Sequence, residues 1–186
     1  MPLFRFSPVP FLLAIMMIAL PVARAGAADT PIRDGAHDFD FDLGTWRTEI
    51  VRRVHPLSGS EETMRLSGTV TVRPLWNGKA QVEEIEADGP KGHWEGMTVF
   101  LYDPEARQWS MNFANGSAGK FTIPMIGSFR NGRGELLGSD TLGGRAILVR
   151  AVWSDITAVS HTYQESYSDD AGHTWQVAFT AHKTKT

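Results

Sequence analysis

His161, Tyr163, Glu165 and Tyr167 stand at alternate positions, which puts an imidazole, two phenols and a carboxyl on one side of an extended segment. Such a set can move a proton or hold a polar group of a ligand. Its two aromatic rings mark the face as inward, where a charge is costly unless it is paired. Arg52 shares a side with Trp46, Thr48 and Ile50 and is the expected cationic partner, with Glu84 or Glu165 as its carboxylate. Glu84 is grouped with Val82 and Glu86. These polar residues form either a structural ion network or the anchors of a ligand site. Four residues along a strand span about 13 Å, which forbids a direct His161–Glu165 hydrogen bond and makes a relay between them poor. Ser160 and Ser166 fall on the opposite side, and the chain has no nucleophile elbow, no HExxH metal motif and no phosphate loop.

Two further clusters read as structure. Asp38, Asp40 and Asp42 alternate, and Glu49 follows eleven residues after Asp38, as in a calcium loop. The sixth position of such a loop is glycine; here it is Leu43, with no helix pattern on either side. The run is expected to be an exposed acidic lead-in with Phe39 and Phe41 packed beneath it, and no metal is expected. Ser168-x-Asp170-x-Gly172-x-Thr174-Trp175 fits an Asp-box turn, in which the carboxylate ties backbone N–H groups and the indole covers the hairpin. It contributes a fastener and no reacting atom.

The elements that position these residues are strands. After Phe39, short segments rich in Val, Thr, Trp, Tyr and Phe are separated by turn clusters: Pro56/Gly59, Asn77-Gly78, Asp88-Gly89-Pro90, Asp103-Pro104, Asn115-Gly116, Asn131-Gly132, Gly143-Gly144, Ser154-Asp155 and 169–172. Nine turns join ten strands. Trp109, Met111 and Phe113 form one inward stripe, Ile147, Val149, Ala151 and Trp153 a second, and Trp175, Val177, Phe179 and Ala181 a third. Ten antiparallel strands leave two exposed edges unless the sheet closes, so an up-and-down barrel is expected, with a β-sandwich as the alternative.

Met1 to Pro10 carries one charge, Arg5; Phe11 to Leu20 is unbroken apolar sequence, and Ala23-Arg24-Ala25 offers small residues for cleavage. This is the pattern of a secretory signal peptide over 1–25, since a spanning helix needs ~20 apolar residues. Cleavage after Ala25 or Ala27 gives an exported protein, periplasmic or secreted, with no membrane anchor. The expected organisation is a loose lead-in over 26–36 and one barrel domain over 37–186. Eighteen basic side chains less Arg5 and Arg24 leave 16 against 21 acidic, a net charge of −5 that argues against nucleic-acid binding. The absence of cysteine excludes thiol nucleophiles, thiolate metal sites and disulfides, so core burial must stabilise the fold.

Gly44-Thr45-Trp46 at the start of the first strand resembles the G-x-W signature of calycin-type barrels: lipocalins, fatty-acid-binding proteins and nitrobindins. In those families the Trp plugs the closed end. Over most of the chain, FDLGTW (41–46), RR (52–53), RPLW (73–76), LYDPEARQWS (101–110), GRGE (132–135), VWSDI (152–156) and SDDAGHTW (168–175) resemble the landmarks of a bacterial domain-of-unknown-function family taken to be calycin-like. That resemblance implies the fold and no activity. A nitrobindin-type haem site would need a late inward His and a Gly-rich extension after the Trp. His182 turns outward and His161 is the better placed, but this chain continues Trp46-Arg47-Thr48-Glu49 where the extension should be, so no cofactor is expected.

The expectation is therefore a barrel holding a small, largely apolar ligand. Trp46, Trp94, Trp109, Trp153 and Tyr163 are its candidate walls, with Arg52, Glu84, His161 and Glu165 as polar anchors. The alternatives are an isomerase- or cyclase-type enzyme using Glu165 or His161 in the same cavity, and a filled barrel acting through protein contacts. The sequence leaves the oligomeric state open.

Overall fold

Each of the nine turn clusters marks a junction between consecutive strands. The computed structural model describes residues 34–186, in which β1 (Gly44–Arg53), β2 (Thr63–Leu75), β3 (Ala80–Gly89), β4 (Gly92–Asp103), β5 (Gln108–Asn115), β6 (Met125–Arg130), β7 (Arg133–Leu142), β8 (Arg145–Ser154), β9 (Ser160–Ser168) and β10 (Gln176–Lys185) follow one another. Each strand pairs antiparallel with its neighbour in sequence, and β1 closes on β10 from Trp46–Lys185 to Arg52–Phe179. The sheet has no free edge, so the fold is a closed up-and-down barrel rather than a sandwich. Among the described residues, helix is confined to single 3-10 turns at Asp40–Asp42 and Trp76–Gly78. The signal-peptide assignment and all of the lead-in before residue 34 lie outside the described residues.

Closure requires sharp local curvature, and glycine supplies it. A Cβ at Gly68 in β2 would stand 1.9 Å from the Glu86 carbonyl oxygen of β3. Gly127 in β6 has the same relation to Glu135 of β7, at 2.0 Å. Only a residue without a side chain lets the backbones approach this closely.

One end of the barrel is plugged by residues 35–43. Phe39 is fully buried there, its ring 4.6 Å from Phe100, 4.8 Å from Phe129, 4.9 Å from Trp153 and 5.1 Å from Trp109. Trp109 Nε1 donates to Gly35 O at 2.8 Å, and Tyr102 OH donates to Asp34 Oδ1 at 2.8 Å. The last residues of the expected loose lead-in are therefore fastened to the barrel. Trp46 is fully buried at this end and donates from Nε1 to Asp42 O at 2.7 Å.

Alternation places the side chains of most strands correctly and fails on two. In β3 the inward residues are Gln81, Glu83, Ile85 and Ala87, so Val82, Glu84 and Glu86 face out. In β10 an irregularity between Val177 and Phe179 interrupts the register with β9. Val177 is thereby turned to solvent, while Ala178, Phe179, Ala181 and Lys183 point in. Trp175 precedes this shift and lies outside the barrel, where the Arg150 guanidinium stacks 4.4 Å from its ring centre. The Asp-box closes the β9–β10 hairpin as a fastener: Thr174 N and Ser168 Oγ both donate to Asp170 Oδ1, and Trp175 Nε1 donates to Gly172 O.

Candidate functional site

The aromatic plug fills the closed end, and the opposite half of the barrel is hollow. A cavity of about 400 Å³ opens there, walled by apolar side chains including Ile50, Phe100, Met111, Trp153, Phe179 and Ala181. A filled barrel is therefore not what these side chains build. Two polar groups interrupt the walls, one towards the mouth and one at the floor.

The mouthward group comes from β9, whose alternation sends Tyr163, Glu165 and Tyr167 to the cavity. Tyr163 OH donates to Glu165 Oε2 at 3.0 Å, and Tyr167 OH donates to Glu165 Oε1 at 2.7 Å. Burial raises the Glu165 carboxyl above its ordinary range; the two phenols and Arg52 oppose the shift without cancelling it, and the Asp140 charge adds to it. Tyr163 and Tyr167 are pushed well up, first by burial and then by the Glu165 charge. Arg52 lies at the mouth, exposed to solvent, and forms no ion pair among the described residues. The expected Arg52–carboxylate pair is thus corrected. Two hydroxyls do the pairing of Glu165, and Arg52 acts on it through space.

The floor holds charges that the sequence reading did not identify. Lys183 of β10 donates from Nζ to Asp42 Oδ1 and Oδ2, at 3.1 and 3.2 Å, and also to Glu83 Oε2. Thr98 Oγ1 donates to Glu83 Oε1 at 3.0 Å. Burial alone would neutralise Asp42 and Lys183, yet each is more than compensated by the other's charge, helped by His161 for Asp42 and by Glu83 for Lys183. Asp42 is accordingly held below the usual carboxylate range and Lys183 above the usual amine range. The acidic run is not a uniformly exposed lead-in. Asp42 is fully buried, while Asp40 stays outside and pairs with His37 at 2.8 Å. Among the described residues, no group of His, Asp and Glu is arranged to hold a metal.

The nine predicted site residues divide accordingly. Arg52, Trp94, Trp153, Tyr163 and Glu165 border the cavity. Glu84 is a correction: it sits on the outer surface, paired with Arg73 at 2.7 Å, because β3 presents its other face inward. Trp46 and Trp109 do not line the cavity, since both are consumed in the plug. His161 is also displaced from the role of cavity anchor. It lies beneath the floor, fully buried, with Nε2 3.1 Å from Asp42 Oδ1 and its ring edge-on to Trp46 and Phe41. Lys183 continues the alternation Phe179, Ala181, Lys183 and was legible on that ground; Asp42 lies in a 3-10 turn with no period to follow.

No protein-family model matches the chain, and no curated protein matches it. Solved structures do. The S-type phycobiliprotein lyase CPES from Guillardia theta is similar with a TM-score of 0.54 at 11% identity, covering 83% of this chain and 93% of that one. A redesigned β-barrel, mFAP1, bound to DFHBI, gives 0.44 at 11% identity over 82% of this chain and 100% of that one. A de novo designed fluorescence-activating β-barrel gives 0.43 at 11%, over 83% and 100%. At these identities the likeness is one of fold.

Proposed function

We propose that this protein is an exported carrier or receptor that holds a small, largely apolar molecule inside its barrel. The observation that carries the reading is the cavity of about 400 Å³, apolar-walled with a half-buried carboxyl held by two phenols. Pockets for small molecules share that make-up: mostly apolar lining and a few fixed polar groups that set orientation. In this reading Trp94, Trp153 and Tyr163 are walls, and Glu165, with Arg52 at the mouth, orients the ligand. Export to the periplasm or the medium follows from the apolar N-terminal run, and membership of the calycin-like domain-of-unknown-function family from the landmarks over 41–175. Both belong to the proposal.

Native mass spectrometry of the protein purified from its own compartment tests it. A retained small molecule is expected in the wild type and lost in Ala181→Phe, which fills the cavity without removing a polar group. A ligand-free wild type that also fails to take up apolar molecules would overturn the reading.

One observation favours a second reading. A carboxyl raised above its ordinary range and flanked by phenols can also transfer protons, as an isomerase or cyclase requires. Glu165→Gln separates the two: a carrier keeps its affinity within a few-fold, whereas an enzyme loses nearly all turnover. His161 has no part in that chemistry, because it does not reach the cavity.

A further inference from the structure

The rings that border the cavity are not spread evenly round it. Trp94 of β4 and Phe113 of β5 stand on one arc; Tyr163 and Tyr167 of β9, with Phe179 of β10, stand on another. In the closed order of ten strands, β4 and β9 are five places apart in either direction, and so are β5 and β10. The two arcs therefore face each other across the barrel. Between them the cavity is bordered by aliphatic side chains such as Ile50 and Leu66 on one flank and Met125 and Val149 on the other. All five rings are half-buried, so each keeps accessible surface. Phe100 and Trp153 also border the cavity, at its floor, where they pack on Phe39 at 4.6 and 4.9 Å.

Both walls are held in place. Glu165 pins the hydroxyls of Tyr163 and Tyr167, and the Phe179 ring stands 5.9 Å from that of Tyr163. Opposite them, Trp94 and Phe113 lie nearly parallel, with 20° between their planes and 6.1 Å between ring centres. They close over Gly96, where a Cβ would stand 2.9 Å from Phe113 and 3.0 Å from Trp94. Fixed rings on facing walls define a slot whose shape exists before the ligand arrives, which spares the cost of ordering it. From this placement we infer that the ligand is a planar, conjugated ring system, lying between the wall of Trp94 and Phe113 and the wall of Tyr163, Tyr167 and Phe179. The inference rests on the cavity being a ligand site and adds the shape and electronic class of what fills it. A flat π-system gains from offset or edge contacts with aromatic rings beyond the area it buries. A saturated body of the same size gains the burial alone, and a flexible chain also gives up conformational freedom.

Three ten-carbon alcohols test the inference: 2-naphthol, decahydro-2-naphthol and decan-1-ol, titrated calorimetrically into the folded protein at pH 7.5. The first two share a skeleton and differ in flatness and conjugation. Each aromatic wall is worth about two- to tenfold, so 2-naphthol should bind at least about fivefold more tightly than its saturated counterpart. Trp94→Leu, which leaves an apolar wall, should weaken 2-naphthol about threefold and decahydro-2-naphthol less than about twofold. Gly96→Ala, which displaces both rings without deleting either, should do the same. The inference falls, with the cavity reading intact, if decahydro-2-naphthol or decan-1-ol binds the wild type as tightly as 2-naphthol. It falls likewise if the two substitutions weaken both ring alcohols equally. The wild-type comparison needs no variant and decides by itself should a variant not fold. Failure of all three alcohols to bind would sink the cavity reading and the inference together.

Discussion

Burial makes Glu165 the carboxyl of the cavity that favours its proton in the folded state. A carboxyl whose folded pKa lies above its unfolded value takes up its proton more readily in the folded state, so folding is favoured as pH falls through that interval. For Glu165 the interval begins at the ordinary value of 4.5 and extends upward. Thermal melts from pH 7 towards 4.5 should show the wild type gaining on Glu165→Gln as the solution is acidified. Equal slopes would contradict the burial assigned to this carboxyl. The floor behaves in the opposite sense. Asp42 is depressed, so its contribution is present above the ordinary 3.8 and lost below it, and Lys183 is elevated, so its contribution is lost only above the ordinary 10.5. Both are constant across the Glu165 interval. Lys183→Met strands two buried carboxylates and should cost about 3–5 kcal/mol in denaturant unfolding, most of it recovered by adding Asp42→Asn and Glu83→Gln. The β9 set was readable because both its aromatic rings fall on one face. Glu83 was not, because β3 carries one large aliphatic on each face, Val82 outside and Ile85 inside, and period two then has no contrast to exploit.

At the level of strands and turns, the sequence was most informative where backbone chemistry is restrictive. Asn131-Gly132 and Gly143-Gly144 take positive φ in the β6–β7 and β7–β8 hairpins, so their residue types name the turn. Gly68 was silent in the sequence, since its importance lies in what the neighbouring strand does. Gly68→Ala forces a Cβ against the Glu86 carbonyl and should cost about 1–3 kcal/mol, with faster amide exchange along the β2–β3 ladder; unchanged exchange there would mean that the two strands are not in this close contact. The irregularity after Val177 was equally silent: one displaced residue moves Trp175 and Val177 outside while leaving Phe179, Ala181 and Lys183 within. A seam also emerges only in three dimensions. β5 and β6 pair from Trp109–Gly127 to Met111–Met125, and beyond that β5 is held by Thr122, whose N–H donates to Phe113 O at 2.7 Å.

For the whole molecule, strand number and the avoidance of free edges were enough to anticipate a closed barrel. Whether the interior would be full or hollow was beyond the reach of pattern, because that depends on how side-chain volumes are shared along the barrel axis. The large rings of Phe39, Trp46, Phe100, Trp109 and Trp153 crowd the plugged end, while small residues such as Ala178 and Ala181 border the open half. Alternation ranks faces and says nothing of volume. Ligand binding and the orienting carboxyl both depend on that uneven filling. The decisive measurement is the anomalous diffraction of a crystal held under xenon gas, which enters apolar cavities and leaves packed cores alone. Xenon density inside the barrel, among Ile50, Phe100, Met111 and Trp153, is the predicted result. An interior closed by side chains, with xenon bound only at the outer surface, would contradict it.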